Sequence, residues 1–219
     1  MIPLRDVIPS RTTPWVTLLL IALNALVFAW GRLLAEDAPG RAFAPHGMIP
    51  DHFSWMATTA SLFVHANLLH IGANLVALWL FGENVEDRFG HVRFLLYYIC
   101  MGYTAAVAEL WAGPASPAPL VGASGAIAGV IGAYMMMFPR SRVLVLVPST
   151  HWVDLLEIPA ITVIGGWSLM QIVGGLEGVG GTGPGGTAMV SLASGVVAGL
   201  GTAWLFRRPE RQRVEWWTA

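Results

Sequence analysis

Six apolar runs separated by polar or glycine-rich breaks dominate the chain, at about residues 15–30, 65–81, 94–111, 124–138, 159–173 and 188–206. Each approaches the roughly 20 residues that a helix needs to cross a hydrocarbon core. The pattern predicts an all-α membrane protein with six transmembrane helices. Thr13 and Pro14 read as N-cap and first residue of the first helix. Trp15 and Trp30 lie near its two ends as interfacial anchors. This first run is too long for a signal-peptide core, and no small-x-small cleavage site follows it.

The connections differ in character. Residues 31–59 form a long link with apolar and aromatic content, expected to lie in the membrane interface. Residues 82–90 read as a charged turn after the second helix, with Gly82 as its C-cap. Residues 113–118 are Pro-rich and uncharged, and residues 139–156 carry Arg140, Arg142, His151 and Asp154. Residues 174–187 are Gly-rich and expected to be flexible. The domain plan is a polar lead over 1–13, one bundle over 14–206 and a basic tail over 207–219.

Composition supports a membrane assignment: 55% of the 219 residues are hydrophobic and only 11% are charged, less than half the charged share of a soluble domain. The net charge of −1 is uninformative, but its distribution is not. All 12 basic residues are arginine. With six spans, Arg5, Arg11, Arg88, Arg93, Arg140, Arg142 and the tail arginines share one side, leaving Arg32 and Arg41 on the other. The positive-inside rule then predicts both termini in the cytoplasm. No basic patch with interleaved aromatics points to nucleic acid. Cys100 is the one cysteine, so no internal disulfide can form.

The candidate chemistry lies in polar residues at the external ends of the runs. Gly122-Ala123-Ser124-Gly125 places one hydroxyl between glycines where the fourth helix begins. The stripe Gly122, Gly125, Gly129 and Gly132, and a second one of Ser191, Gly195 and Gly199, allow close helix approach. The second helix carries His65, His70 and Asn74, the last two on one helical face. Polar side chains in or near a span are expensive and are functional candidates. By depth, they can approach Ser124.

These residues give the chain a resemblance to the rhomboid intramembrane serine proteases of the compact six-helix bacterial type. It is carried by His65-x4-His70-x3-Asn74, Gly122-Ala123-Ser124-Gly125 and Ala198-Gly199-Leu200, with the acidic turn from Gly82 to Asp87 and the opening Ile2-Pro3-Leu4-Arg5-Asp6 in agreement. The resemblance covers about residues 1–206 and implies a six-helix rhomboid bundle. It implies Ser124 as nucleophile, His70 and Asn74 with the Ser124 amide as oxyanion site, and His65 in support. It further implies transmembrane-helix substrates or clients, with the first loop partly in the bilayer and the Gly-rich loop over the site. No cofactor and no metal are expected, and the expected location is a bacterial inner membrane.

One position departs from the family pattern. Counting back from Ala198-Gly199-Leu200, the general-base histidine should stand where this chain has Leu192. No histidine follows His151, which falls on the cytoplasmic side by the charge argument. A serine hydroxyl needs an adjacent base, and leucine cannot accept a proton. The sequence therefore predicts a preserved binding scaffold with weak or absent proteolysis. Two alternatives stand beside it: an active protease using a substitute base such as His65 or His70, and a structural or transport-type bundle.

Overall fold

The computed structural model describes residues 2–34, 48, 53–112, 121–148, 153–176 and 185–207, with backbone alone over 174–176 and 185–188. The Pro-rich link, His151, Arg208, Arg211 and Arg213, and most of the first and Gly-rich links, lie outside the described residues. The element order is β1 (Ile2–Asp6), α1 (Trp15–Leu34), α2 (Trp55–Ser61), α3 (Leu68–Ala77), a π-helical turn (Leu78–Gly82), α4 (Glu83–Phe89), α5 (His91–Ala112), α6 (Ser124–Met137), β2 (Arg142–Pro148), β3 (Val153–Pro159), α7 (Ala160–Leu176) and α8 (Gly185–Phe206).

Among the described residues, four helical stretches are long and apolar enough to cross a membrane: Trp15–Leu34, Leu68–Phe89, His91–Ala112 and Met189–Phe206. The expected fourth and fifth spans are shorter apolar helices, Ser124–Met137 and Ala160–Val173. At 14 residues, α6 is only about 21 Å long against a hydrocarbon core of about 30 Å. It does not need to face lipid. Every residue from Gly125 to Tyr134 is buried, because α6 packs mainly between α8 and α5. The lipid-facing apolar surface is carried by the surrounding helices, with Leu26, Leu96, Leu169, Val197 and Trp204 all exposed.

Three expectations are corrected. First, residues 82–90 are not a turn. The helix that begins at Leu68 runs through the π-helical turn and continues to Phe89. Gly82 has φ −65 and is no C-cap; Gly90, at φ 79, ends the helix. Gly82 serves close approach instead, since a Cβ there would meet Thr17 and Leu78 at 3.0–3.2 Å.

Second, the bundle is not purely helical. β1, β2 and β3 form an antiparallel sheet in that order, pairing Ile2 with Leu146 and Leu144 with Glu157. The polar lead and the 139–156 link are therefore joined. The run Arg142-Val143-Leu144-Val145-Leu146-Val147-Pro148 is rich in β-branched residues and buries Val143 and Val145. Asp6 ends β1 and accepts from the amide of Ile8 at 2.5 Å and from the Tyr134 hydroxyl of α6. Burial raises the Asp6 pKa above the usual carboxylate value, partly offset by these hydrogen bonds.

Third, α1 begins at Trp15, one residue beyond the expected start at Pro14, and its first amides are held from a distance. Glu86, fully buried, accepts from the amides of Val16 at 2.9 Å and Thr17 at 2.7 Å, and from the Thr17 hydroxyl at 2.7 Å. A carboxylate there satisfies amides that lack intrahelical partners and complements the helix dipole. His91 Nδ1 lies 2.5 Å from Oε1 of the same group, the oxygen that accepts from Val16. The acidic segment thus locks the second span to the first.

Candidate active site

Ser124 opens α6 and is half-buried. The turn that delivers it depends on Gly122, which has φ +115, a conformation other residues rarely adopt. The Gly122 amide donates to the Ser61 carbonyl at 2.9 Å, tying the turn to α2. A Cβ on Gly122 would lie 2.6 Å from Cε1 and 2.7 Å from Nε2 of His70. The imidazole therefore occupies the space that glycine leaves open, two residues before Ser124. Ala123, the N-cap position, makes no side-chain cap. The first amides of α6 lack intrahelical partners, and an anion beside Ser124 would meet them.

The second-span residues form a hydrogen-bonded chain. Asn67, not His65, begins the helix: its side chain accepts from the His70 amide at 2.8 Å. His65 precedes the helix, is buried, and lies edge-on to His70 with ring centroids 5.0 Å apart. Asn74 Nδ2 and His65 Nε2 are 3.0 Å apart, and His65 Nδ1 is 3.4 Å from the Phe63 carbonyl. This pattern assigns the His65 proton to Nδ1, so that Nε2 accepts from the Asn74 amide. The Asn74 oxygen accepts from Gln171 of α7. Asn74 is thereby oriented, with one N–H beyond the His65 bond.

Ser124 opens on a cavity of about 50 Å³, whose lining includes Ser61, Gly122, Gly125, Glu109 and Ser191. Close helix contact shapes this cavity. A Cβ on Gly125 would overlap Ala105 and lie 2.7 Å from the Ser191 hydroxyl; one on Gly195 would lie 2.5 Å from the Gly125 carbonyl. The Tyr97 hydroxyl bridges the Gly129 and Gly199 carbonyls at 3.0 and 3.3 Å, fastening α5, α6 and α8 together.

The structure sets His70 against Gly122, two residues before Ser124, and links His65 with Asn74 by a hydrogen bond and with His70 by ring contact. Leu192 is buried in the apolar core, and among the described residues it is its neighbour Ser191 that lines the Ser124 cavity. Sequence reasoning missed Gln171, Glu109 and Ser191. The available signal was polarity: Gln171 and Glu109 are the one amide and the one carboxyl in their apolar runs, the pattern already used to select Asn74.

The chain is similar to known proteins over this same region. A family model for the rhomboid domain matches residues 52–209. Rhomboid protein 1, mitochondrial, of Saccharomyces cerevisiae is 33% identical over 110 residues, covering 47% of this chain and 32% of that protein. Rhomboid protease GluP of Bacillus subtilis is 31% identical over 133 residues, covering 59% of this chain and 26% of that protein. The mouse presenilin-associated rhomboid-like protein, mitochondrial, is 30% identical over 132 residues, covering 58% of this chain and 34% of that protein. The chain thus spans about a quarter to a third of the length of these relatives. With the family match extending over most of the chain, it belongs to the rhomboid family.

Proposed function

We propose that this chain is a rhomboid-type site for transmembrane helices, with a serine nucleophile that lacks its histidine base. The observation that carries the reading is Ser124 at the uncapped start of α6, beside a cavity and two residues from the His70 ring. In this reading His70, Asn74 and the Ser124 amide hold the oxyanion, and His65 fixes Asn74. Resemblance to a protein named a protease supports peptide-bond hydrolysis as the underlying chemistry. Leu192 stands at the base position. Losing the base of a serine–histidine unit lowers kcat by on the order of 10⁶ in a soluble protease, leaving about 10³–10⁴ over water. Proteolysis is accordingly slow, and helix binding outlasts it.

The same reading takes α6 and α7 as the fourth and fifth members of a six-helix domain over 14–206, with the tail outside it. Arginine placement supports cytoplasmic termini, and the bacterial inner membrane rests on the resemblance to compact bacterial rhomboids alone. The test is a single-span helix carrying photo-reactive side chains, reconstituted with the chain in proteoliposomes. Crosslinks into α3 and α6 in both wild type and Ser124→Ala, with any cleavage lost in Ser124→Ala, are expected. Absence of crosslinks, or cleavage indifferent to Ser124, overturns the reading.

A further inference from the structure

Glu109 is an acid that the proposed chemistry does not use. It lies near the end of α5, inside an apolar helix, and is only 7% exposed. An ionisable side chain at such a place is costly and needs a purpose. Across from it on α8 stands Ser191, itself 8% exposed. Both side chains line the Ser124 cavity.

The helix faces explain the meeting. Ala105, one turn before Glu109, packs on Gly125, so this face of α5 looks at the start of α6. Ser191 does the same from α8: its hydroxyl lies 2.7 Å from where a Cβ on Gly125 would stand. It therefore sits over the residue that follows Ser124. No histidine and no other carboxyl is among the described residues lining the cavity. His65 has both ring nitrogens engaged, with Asn74 and with the Phe63 carbonyl.

We propose that Glu109 is the proton acceptor for Ser124, reached through the Ser191 hydroxyl. The inference rests on the reading of Ser124 as nucleophile. As the Ser124 oxygen bonds to the scissile carbonyl carbon, its proton passes to the Ser191 oxygen, and the Ser191 proton passes to the Glu109 carboxylate. The carbonyl π pair moves onto oxygen. Collapse of this intermediate breaks the C–N bond, and Glu109 returns the proton through Ser191 to the leaving nitrogen. Water then hydrolyses the Ser124 ester by the same route, regenerating the hydroxyl. A carboxyl two bonds removed from the nucleophile is a weaker activator than a neighbouring imidazole, consistent with slow turnover.

The test uses a fluorophosphonate, which needs no known substrate. Ser124 attacks phosphorus, fluoride leaves with its bonding pair, and the hydroxyl proton goes to Glu109. Labelling rates are measured on the full chain in bilayers across pH. Wild type is expected to label at Ser124 along a single titration. Glu109→Gln and Ser191→Ala should each label at least about 100-fold more slowly, the usual scale of general-base catalysis, and Glu109→Gln should lose the titration. Leu192→His added to Glu109→Gln should restore labelling with a new pH profile, separating loss of the base from misfolding. Glu109→Gln labelling as fast as wild type, with the same profile, overturns the proposal and favours His70. Absence of wild-type labelling overturns it as well, while the scaffold reading survives if Leu192→His then labels. If Leu192→His also fails to label, the nucleophile reading itself is lost.

Discussion

Replacing Gly199 by alanine, with Gly201→Ala as its partner, isolates helix approach as the force that builds the site. Both glycines lie on α8, two residues apart, and the change is one methyl group. A Cβ at 201 meets nothing within 4 Å. Gly201→Ala should therefore show only the gain in helix propensity, up to about 1 kcal/mol. At 199 the new Cβ would overlap the Gly129 carbonyl oxygen and lie 3.0 Å from its carbon, 0.4 Å inside ordinary contact at 3.4 Å. Those are backbone atoms of α6 and cannot rotate away, so α8 must shift. Overpacking of this kind costs about 1–3 kcal/mol. The shift also strains the Tyr97 bridge to the Gly129 and Gly199 carbonyls, whose loss costs about 1 kcal/mol. Against the propensity gain, Gly199→Ala should destabilise by about 1–3 kcal/mol, some 2–4 below Gly201→Ala. Reversible unfolding in mixed detergent, followed by tryptophan fluorescence, measures the difference. Equal stability of the two variants, or greater stability of Gly199→Ala, would refute the reasoning.

Other outcomes follow from single contacts. Glu86→Ala strands the Val16 and Thr17 amides; at about 1–3 kcal/mol for each unsatisfied buried group, it should destabilise by roughly 3 kcal/mol or more in the same assay. Gln171→Leu frees the Asn74 oxygen and should destabilise by about 1 kcal/mol, while slowing Ser124 labelling in the Leu192→His background. Gly122→Ala combines a positive φ with a clash on His70; it should abolish Ser124 labelling, whereas Gly72→Ala, with open space around its Cβ position, should not. Asp6→Asn tests the buried carboxyl. Its raised pKa means that the charged form is disfavoured in the fold, so the Asp6 contribution is lost as pH rises through the folded value. Thermal unfolding should find Asp6→Asn the more stable near neutral pH, with the gap closing on acidification.

What the sequence revealed, and what it hid, has a physical pattern. Ser124, His70 and Asn74 stood out as candidates because glycine placement and helical spacing are local, and because polar groups in apolar runs are conspicuous. The sheet did not: β1 pairs with β2 across more than 130 residues, and the nearby β2–β3 pairing lies in a stretch whose arginines, His151 and Asp154 read as a polar link. The role of Glu86 was hidden for the same reason, since its partners Val16 and Thr17 lie 70 and 69 residues away. The acidic segment looked like a turn because charge and glycine usually end helices, yet here the charge caps another helix. Ser191 was read only as a small residue in a stripe, because which face of α8 meets Ser124 depends on how helices rotate against each other. Position 192 was singled out by the family resemblance, counted back from Ala198-Gly199-Leu200, whereas its buried apolar packing came from the structure.

The most direct measurement of the central claim is Ser124-dependent cleavage of a single-span helix by the Leu192→His variant relative to wild type. If the nucleophile and oxyanion site are intact and only the imidazole is missing, kcat/KM should rise by about 100-fold or more and vanish with Ser124→Ala. A well-folded Leu192→His chain that cuts no faster than wild type would contradict the account.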